Sequence, residues 1–474
     1  MTYQVPQHIS QDKIFIVKKS EIEGRLEPNF YKPSIATLEK KICSLSSKKL
    51  RSYAQSFAGG STPSKREPEK YYSDSQTGVP FLRVQNLHTT GELSLGECIY
   101  INEETHNGLL KRSQVSEGDL LVKITGVGRM AIASVAPKDF VGNTNQHMVV
   151  IKTGDPSISK YIAHYLNLDI IEQIASRHST GGTRPALDYP SLKNIPVIEG
   201  LDFSCIDDAI KIKQAKEAEA QQLLDSIDGY LIKELGITIP EIKTEVYNRM
   251  FIVQHSELKG RYTPSLYKDA ISLHSTIYEN IPLSHLAYVN PNTRLPYQDK
   301  KMVISFVPME SVNEMYAEIN DNKDCTIAET KGFTRFQDGD LLWAKITPCM
   351  ENGKSAIAKD LINGYGCGST EFHVIRPKND NLLVEYIHSL LHMKFVRQTA
   401  KLYFGGSAGQ QRVATDFLKN FNVPLPSIWK QQEIVDYIAR IRIQAKTLRE
   451  EGNIILDDAK RKVEQMIIGE SMKK

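Results

Sequence analysis

Three short segments carry residue types that could act on phosphate groups or nucleotides. Gly353-Lys-Ser355 ends as a phosphate-binding loop does, but Pro348 stands where that loop needs its first glycine. Asn290-Pro-Asn292 follows the Asn-Pro-Pro motif of adenine methyltransferases, with Asn292 in place of the second proline. Glu241-Ile-Lys243 has the Glu-x-Lys spacing of nucleases without a partnering Asp motif, and a linker is the better interpretation. None of the three predicts a catalytic site.

The residue types that bind metals give the same result. No two cysteines form a CxxC pair, so the sequence does not support a zinc site. The HExxH metal motif is also missing from the sequence. We therefore expect no catalytic residues, no metal and no cofactor bound by this chain. The cysteines are better interpreted as small buried residues in a reducing compartment: Cys43, Cys98, Cys205, Cys325, Cys349 and Cys367.

The composition is that of a globular protein. Of the 474 residues, 41% are hydrophobic and 24% are charged, which argues against disorder. No apolar run approaches the roughly 20 residues of a membrane helix, and the N-terminal MTYQVPQHISQDK has no signal-peptide pattern. We expect a soluble, cytoplasmic protein. A net charge of +3 is too small to indicate nucleic-acid binding, because such binding depends on a local basic patch.

The elements that would position a site are duplicated along the chain. FIVKKSEIEGRLEPNFYKPSI, from Phe15, matches FIVQHSELKGRYTPSLYKDAI, from Phe251, at an offset of 251 − 15 = 236 residues. Further on, residues 117–125 match residues 338–347 with one residue added, and the Gly-Asp in each predicts a turn before a strand. Weaker matches join Asn145-Gln-His147 with Glu371-Phe-His373, Gly181-Gly-Thr183 with Gly405-Gly-Ser407, and Leu192-Lys-Asn194 with Leu418-Lys-Asn420. We expect one fold, built twice, that presents two different surfaces.

A charged, helix-forming segment ends each unit. In the second, apolar residues recur from Ile434 to Met466 at alternating spacings of mostly three and four residues, which is typical of a coiled-coil seam. Gly452 lies on this seam, where a glycine favours a kink. We predict that the seam binds a partner helix through Ile434, Ile438, Ile441, Leu448 and Ile455.

The first helix is predicted over residues 206–235, with a patchier seam that begins at Ile206 and Ile210. About 30 residues make a rod of roughly 45 Å. Because a helix gains stability by burying its apolar stripe, the simplest partner for each helix is the other. Antiparallel pairing would relate the two units by a pseudo-twofold axis and would make the pair a spacer. A helical hairpin or an oligomerisation stalk with no measuring role explains the same pattern.

Taken together, these features resemble the specificity (S) subunit of type I restriction-modification enzymes over nearly the whole chain. In the first unit, residues 57–63 resemble the Gly-Gly-Thr-Pro opening of that family, and Asn145-Gln146 its Asn-Gln signature. In the second unit, residues 339–354 resemble its most characteristic stretch, and residues 423–434 its proline-bearing entry to the conserved helix. The first helix departs from the family, because Ile195-Pro-Val-Ile-Glu-Gly200 stands where that entry is expected.

The resemblance implies an α+β fold with two mixed α/β target-recognition domains. Two long α-helices would separate the domains and pair as an antiparallel coiled coil, in a pseudo-twofold internal repeat. The expected recognition domains are residues 1–202 and 241–427, and the expected spacer helices are residues 203–240 and 428–474. Each domain would read one half of an asymmetric bipartite sequence in double-stranded DNA, and the helices would fix the gap.

The resemblance also implies partners. Two modification subunits, which bind S-adenosylmethionine and methylate adenine, would dock on the helices and domains. Restriction subunits would supply translocation and cleavage driven by ATP with Mg²⁺. This chain would bind none of these cofactors, would not itself be an enzyme, and would not bind a membrane.

Direct reading of DNA needs polar and basic side chains on loops that face a groove, and further basic residues that hold phosphates. The alternative for each candidate is an ordinary surface charge. In the first domain the candidates are Lys65, Arg66, Arg83, Lys123, Arg129 and Arg184, and in the second they are Arg294, Lys300, Lys301, Lys345 and Arg412.

Two other functions remain open. The chain could be an enzyme with a diverged nuclease or methyltransferase site, in which case the purified chain alone would methylate or cut DNA. It could also be a protein-binding adaptor on the same scaffold, in which case a complex with modification subunits would protect no split site.

Overall fold

The computed structural model describes residues 10, 12–96, 98–238, 252, 273–296, 299–406 and 411–469. The chain divides into two compact units, one formed by residues 1–214 with 451–474 and the other by residues 215–450. The matched segment that starts at Phe251 and the Glu241-Ile-Lys243 segment lie outside the described residues.

The first unit combines short strands with helices of very different lengths. Its strands are β1 (Lys48–Lys49), β2 (Ser56–Gly59), β3 (Tyr72–Ser73), β4 (Val79–Leu82), β5 (Ile99–Ile101), β6 (Gln114–Ser116), β7 (Leu120–Lys123), β8 (Ala133–Val135), β9 (Val141–Thr144), β10 (Met148–Lys152) and β11 (Pro196–Val197). Its helices are α1 (Pro33–Leu45), α2 (Pro68–Tyr71), α3 (Glu103–Asn107), α4 (Pro156–Leu166), α5 (Asp169–His178), α6 (Tyr189–Asn194) and the first part of α7 (Ser204–Glu234).

The central strand of this unit, β7, is buried on both faces because it lies between helices and a second sheet. The first sheet has the antiparallel order β2-β10-β7-β8, and the second has the order β3-β5-β4-β9-β6, in which β4 and β9 are parallel. Leu120 and Val122 pack with Ile162 of α4, whereas Leu121 packs with Leu82 and Val115 of the second sheet. Successive strand residues point to opposite faces, so Leu120, Leu121 and Val122 are all apolar here.

Local sequence explains where these elements begin. Gly118 has a φ of 77°, and the carboxylate of Asp119 accepts a hydrogen bond from the backbone N–H of Ser116 at 2.8 Å. The turn that was predicted before β7 is therefore confirmed. Helix α4 begins with Pro156, and Asp155 caps it by accepting from the N–H of Ser157 at 2.8 Å.

The second unit repeats this plan. Its strands are β12 (Asn280–Pro282), β13 (Ala287–Val289), β14 (Val303–Val307), β15 (Lys323–Thr326), β16 (Thr334–Gln337), β17 (Leu341–Ala344), β18 (Ser355–Ile357), β19 (Tyr365–Gly368), β20 (Phe372–Pro377), β21 (Phe404–Gly405), β22 (Arg412–Val413) and β23 (Asn422–Pro424). Its helices are α8 (Leu283–Leu286), α9 (Val384–His392), α10 (Lys394–Lys401), α11 (Thr415–Lys419) and the first part of α12 (Ile428–Ile468).

The sheets of the second unit repeat the strand order of the first, except that among the described residues the second sheet has four strands and no counterpart of β3. The order β13-β20-β17-β18 corresponds to β2-β10-β7-β8, and β15-β14-β19-β16 corresponds to β5-β4-β9-β6. The parallel pair recurs as β14 with β19. Trp343 of the central strand packs on the helical side, and Leu342 packs on the second-sheet side. The predicted fold class, a duplicated α+β fold with mixed domains, is confirmed.

The two long helices contribute to the cores of both units. In the first unit, the early residues Ile206 and Ile210 of α7 lie in one core cluster with the late residues Leu456 and Val463 of α12. In the second unit, the late residue Leu231 of α7 lies in one cluster with the early residues of α12. The stacked rings of Tyr230 and Tyr437, 3.9 Å apart, belong to this second contact. The helices therefore run antiparallel, as predicted.

The seam of α12 differs from the predicted one in its last third. Ile434, Ile438 and Ile441 are buried in the core of the second unit, whereas Leu448 and Ile455 are half-buried. From Gly452 onward the buried apolar side chains are Leu456, Ala459, Val463 and Ile467, and Met466 is exposed. The spacing therefore changes to four, three, four and four, closer to an eleven-residue repeat than to heptads. Helix α12 continues through Gly452 from Ile428 to Ile468.

Candidate nucleic-acid interface

After the central strand of the first unit, the chain forms a loop that is hydrogen-bonded to a glycine-rich loop. Gly126 donates its backbone N–H to the carbonyl of Pro185 at 3.1 Å. Leu187 in turn donates to the carbonyl of Ile124 at 2.8 Å. Residues 124–129 and 180–187 therefore form one surface, which we call the first platform.

The second unit builds the same surface from different residues. Thr347 donates its N–H to the carbonyl of Gln411 at 3.0 Å, and Val413 donates to the carbonyl of Lys345 at 2.9 Å. Residues 345–354 and 404–413, of which 407–410 lie outside the described residues, form the second platform. Because both platforms are held by backbone groups, their side chains can differ without loss of the scaffold.

The tip of the first platform presents an apolar side chain. Val127 is 76% exposed and lies between Gly126 and Gly128, whose φ values of 127° and 80° favour glycine. Lys123, a predicted DNA-binding residue, is only 4% exposed and donates its ammonium to the carbonyl of Val127 at 2.8 Å. Burial lowers the pKa of Lys123. In this conformation Lys123 braces the loop from within.

Arg129, at the end of the same loop, is tied to the adjacent helices. Its guanidinium forms an ion pair with Asp169 and donates to the carbonyl of Asn167 at 2.7 Å. These contacts fix the loop against the start of α5. Arg184, on the glycine-rich loop, is exposed. The structure thus brings Lys123, Arg129 and Arg184 to one platform and leaves Arg184 the most accessible of the three.

In the second unit, Lys345 lines a polar cleft beside the platform. The cleft has a volume of about 420 Å³, and its wall includes Asn290, Asn292, Arg335 and Phe333. Asn292 is exposed, and Lys345 and Arg335 are half-buried. Amide, ammonium and guanidinium groups on one concave surface are the donors and acceptors that read base edges.

Arg412 lies on the second platform with its charge already paired. Its Nε and one terminal nitrogen donate to the two carboxylate oxygens of Glu371 at 2.8 and 2.7 Å. These hydrogen bonds from Arg412 lower the pKa of the Glu371 carboxyl, which is thereby kept ionised. A DNA phosphate at Arg412 would compete with Glu371.

The loop that follows β2 carries two further candidates. Gly60 lies so close to the backbone of Thr144 that a β-carbon there would overlap its carbonyl oxygen. The hydroxyl of Thr62 donates to the side-chain oxygen of Gln146. Beyond these contacts Lys65 and Arg66 are exposed. The loop is therefore anchored at its start and presents its basic residues to solvent.

The remaining candidates are placed apart from the platforms' hydrogen bonds. Arg83 is half-buried after β4, and its Nε has no hydrogen-bond partner. Arg294, Lys300 and Lys301 are exposed before β14. The assignment of all of these residues to DNA binding stays a prediction.

Comparison with known families identifies part of the chain. Residues 279–453 match the family model described as "Type I restriction modification DNA specificity domain". Residues 279–453 are therefore similar to a specificity domain of this family. The segment contains the second platform and the Lys345 cleft, and it lies almost entirely within the second unit. The resemblance to specificity subunits drawn from the sequence is confirmed.

Two relatives of the chain are described as specificity subunits. The chain is 35% identical over 191 residues to the type I restriction enzyme EcoEI specificity subunit of Escherichia coli, and 34% identical over 197 residues to the EcoAI specificity subunit of the same organism. Each match covers 40% of this chain and 32% of the relative, so the chain spans about a third of the length of these relatives. The solved HsdS subunit from Thermoanaerobacter tengcongensis is 13% identical, with a TM-score of 0.33 over 89% of this chain and 94% of that chain.

Sequence reasoning missed two residues of the specificity domain. Arg335 follows Thr334 on β16, one position before the buried Phe336, so strand alternation turns its side chain away from that core. This alternation was readable in Thr-Arg-Phe-Gln. Asn292 was considered only as part of a methyltransferase motif, although its exposed amide is equally suited to a base edge.

The described residues contain no group of three or more His, Cys, Asp or Glu side chains that could hold a metal ion. Within the same part of the chain, no helix combines the length and apolar character needed to cross a bilayer.

Proposed function

We propose that this chain is the DNA sequence-recognition subunit of a type I restriction-modification complex. The observation that carries the proposal is the duplicated platform, in which the same backbone hydrogen bonds join two loops in each unit while the side chains differ. One scaffold with two sets of side chains is suited to reading two different half-sites. The specificity-domain match supports this role for the second unit.

The two platforms would read DNA by different chemistry. In the cleft beside the second platform, Asn292 can accept and donate at an adenine edge, and Arg335 and Lys345 can donate to guanine. On the first, the exposed Val127 offers an apolar contact for a thymine methyl group, and Arg184 offers a charge to a phosphate or a guanine. The two halves of the target should therefore differ.

The helix pair would set the distance between the half-sites. Helices α7 and α12 span 31 and 41 residues, and a helix rises about 1.5 Å per residue. Their antiparallel pairing gives a spacer whose length is fixed by the sequence. A fixed spacer implies a fixed number of unread base pairs.

The chemistry would belong to partners in the cytoplasm. Two modification subunits would supply S-adenosylmethionine and the adenine methyltransferase site, and two restriction subunits would supply ATP- and Mg²⁺-dependent translocation and cleavage. The chain itself would contribute recognition and docking, without a catalytic residue or a cofactor of its own.

A domain exchange tests the proposal. Residues 1–200 are replaced by the first recognition domain of another specificity subunit, and the methylation target of the complex with modification subunits is determined. We expect only one half of the target to change. A change in both halves, or in neither, would contradict the proposal. As a control, the purified chain alone should not methylate DNA with S-adenosylmethionine, and methylation by it would favour an enzyme.

A further inference from the structure

Each unit contains a cleft between its long helix and a loop that joins two strands of its second sheet. In the first unit the cleft has a volume of about 720 Å³ and includes Glu92, His164 and Gln214. In the second it has a volume of about 470 Å³ and includes Glu318, His388 and Arg442. The clefts therefore stand at equivalent places in the two copies of the fold.

The two clefts correspond in the loop and at one position of the long helix. The loop that carries Glu92 is closed by the Leu87–Leu93 bridge, and the loop that carries Glu318 is closed by the Val312–Ile319 bridge. On the long helices, Gln214 of α7 and Arg442 of α12 lie at the same spacing of eight residues from the buried Ile206 and Ile434. Glutamine in the first cleft is thus replaced by arginine in the second.

In the first cleft the polar groups satisfy one another. The side-chain amide of Gln214 donates to both carboxylate oxygens of Glu92, at 2.8 and 2.7 Å. His164 and Lys160 both bond to the carboxylate of Asp207, at 2.9 and 2.8 Å. No charge facing this cleft lacks a partner among these groups.

In the second cleft the equivalent glutamate, Glu318, pairs with a lysine. Glu318 forms an ion pair with Lys446 at 2.7 Å, one turn beyond Arg442, and Glu385 forms an ion pair with Lys359 at 2.8 Å. The remaining acidic residue of the wall, Asp360, is exposed at the rim. The carboxylates of Glu318 and Glu385 are therefore each paired with a lysine.

Arg442 is left with a neutral neighbour. Its Nε is inaccessible to solvent and has no hydrogen-bond partner, and a terminal nitrogen lies 3.5 Å from Nδ1 of His388. His388 is 1% exposed, and burial holds its pKa well below the usual value, so its ring is uncharged at neutral pH. Burial also lowers the pKa of Arg442 to about 10, which leaves the guanidinium charged at neutral pH. Glu318 offsets part of this charge through space, but it forms no ion pair with the guanidinium. Enclosing a cation that no carboxylate contacts directly is costly, and a bound anion would reduce that cost.

We propose that the cleft beside Arg442 binds a small molecule with one carboxylate and an apolar body. The planar guanidinium donates two parallel hydrogen bonds to a carboxylate. Ile319, Ile357, Val435 and Ile438 line the same cleft and suit an apolar chain. The glutamates and Asp360 around it disfavour a dianion such as phosphate. A volume of about 470 Å³ lies within the range of small-ligand sites. This site would be separate from the DNA-reading platforms.

Calorimetric titration of the full chain with hexanoate, hexanamide and acetate tests the proposal. Hexanoate should bind saturably at one site per chain. Acetate should bind at least about tenfold more weakly, because each buried methylene strengthens binding severalfold. Hexanamide, which lacks the charge, should bind at least about tenfold more weakly as well. No saturable binding of hexanoate, or equal binding of hexanamide, would overturn the proposal.

The variant Arg442→Gln gives the second cleft the residue that the first already has, and it should lose at least about tenfold in hexanoate affinity. Wild-type affinity in this variant would overturn the proposal. Should that variant fail to fold, Ala439→Glu places a carboxylate in the cleft one turn from Arg442 and should weaken hexanoate binding to the same degree. Gln444→Glu, on the same helix but outside the cleft, should bind hexanoate as the wild type does. Equal binding by Ala439→Glu and Gln444→Glu would count against the site.

Discussion

Gly452 of α12 lies directly against Lys213 of α7. A β-carbon at residue 452 would be 3.3 Å from the α-carbon of Lys213, closer than ordinary van der Waals contact. Glycine costs a helix about 1 kcal/mol relative to alanine, yet here it allows the two backbones to approach. The close approach explains why a glycine stands inside a helix of 41 residues.

We predict that Gly452→Leu lowers the free energy of unfolding by about 1–3 kcal/mol, because the side chain must push α7 and α12 apart. Chemical denaturation of the full chain measures the change. Gly229→Ala is the matched control, since Gly229 lies in α7 with open space around its α-carbon. It should stabilise the protein by up to about 1 kcal/mol. Equal effects of the two substitutions would contradict the close packing at Gly452.

The aspartates of the two Gly-Asp turns, which precede the central strands, should contribute differently to the free energy of unfolding. The carboxylate of Asp340 is fully buried and accepts two hydrogen bonds from Arg376, at 2.6 and 2.7 Å. The corresponding Asp119 pairs with Lys152 at 2.7 Å, and that lysine is 40% exposed. Removing one partner of a buried ion pair costs about 3–5 kcal/mol, whereas an exposed pair contributes about 1 kcal/mol or less.

Asp340→Ala should therefore destabilise the chain more than Asp119→Ala. Both substitutions also remove a hydrogen bond to a turn N–H, at 2.8 Å in each unit, so that loss cancels in the comparison. Thermal or denaturant unfolding of the two variants checks this order. An equal loss of stability in both variants would show that the Asp340–Arg376 ion pair contributes nothing beyond the hydrogen bond of the turn.

Lys460 should make the stability of the first unit depend on pH. It is 7% exposed, donates to the carbonyl of Thr89 at 2.9 Å, and burial lowers its pKa to about 8, against 10.5 for a free lysine. Between pH 8 and 10.5 the unfolded chain binds more protons at this lysine, so the free energy of unfolding rises with pH. Below pH 8 the full cost of the buried charge is present.

Lys460→Met should abolish this rise, which corresponds to about 3 kcal/mol for a pKa difference of this size. The free energy of unfolding is measured from pH 7 to 10.5 for both proteins. Lys462→Met on the exposed face of α12 is the control and should keep the wild-type pH dependence. If Lys460→Met keeps the wild-type dependence of the free energy of unfolding on pH, another titratable group causes the effect.

Side chains of the two platforms should act on different halves of the DNA target. Arg335→Ala should relax the sequence required by the second unit, with a loss of about 1–3 kcal/mol against the preferred base. Val127→Ser should affect only the half read by the first unit. Methylation of a randomised DNA library by the complex of this chain with modification subunits measures both. Lys331→Ala, an exposed lysine near Arg335, should leave the target unchanged.

A uniform loss of binding on all sequences after Arg335→Ala would contradict base reading and would indicate a phosphate contact. An altered second half after Val127→Ser would contradict the assignment of one half-site to each unit.

The duplication and the fold class could be predicted from the sequence, because matched turns and apolar strands recur in the same order. The exact alignment of the two copies could not be predicted in the same way. Matching letters pairs Lys123 with Lys345, but β7 ends at Lys123 and β17 ends at Ala344. Lys345 therefore falls one position beyond the strand and lines a cleft, whereas Lys123 is buried.

Similar limits apply to the histidines and the helix seam. The sequence match pairs His147 with His373. In the structure, however, His147 corresponds to Glu371, because the backbone carbonyl of each accepts a hydrogen bond from the first residue after the central strand. In α12, three consecutive apolar residues, Ile454, Ile455 and Leu456, leave the seam undecided until the contact at Gly452 fixes which one is buried. Backbone hydrogen bonds and interhelical distance decide these positions, and neither is encoded in residue type alone.

The central claim is that this chain selects a bipartite DNA target. Mapping methylated adenines across the genome of cells with and without the gene for this chain tests it most directly. We predict methylation at one motif of two different short half-sites with a fixed gap, present only when the chain is made. Unchanged methylation in its absence, or a continuous motif without a gap, would contradict the account.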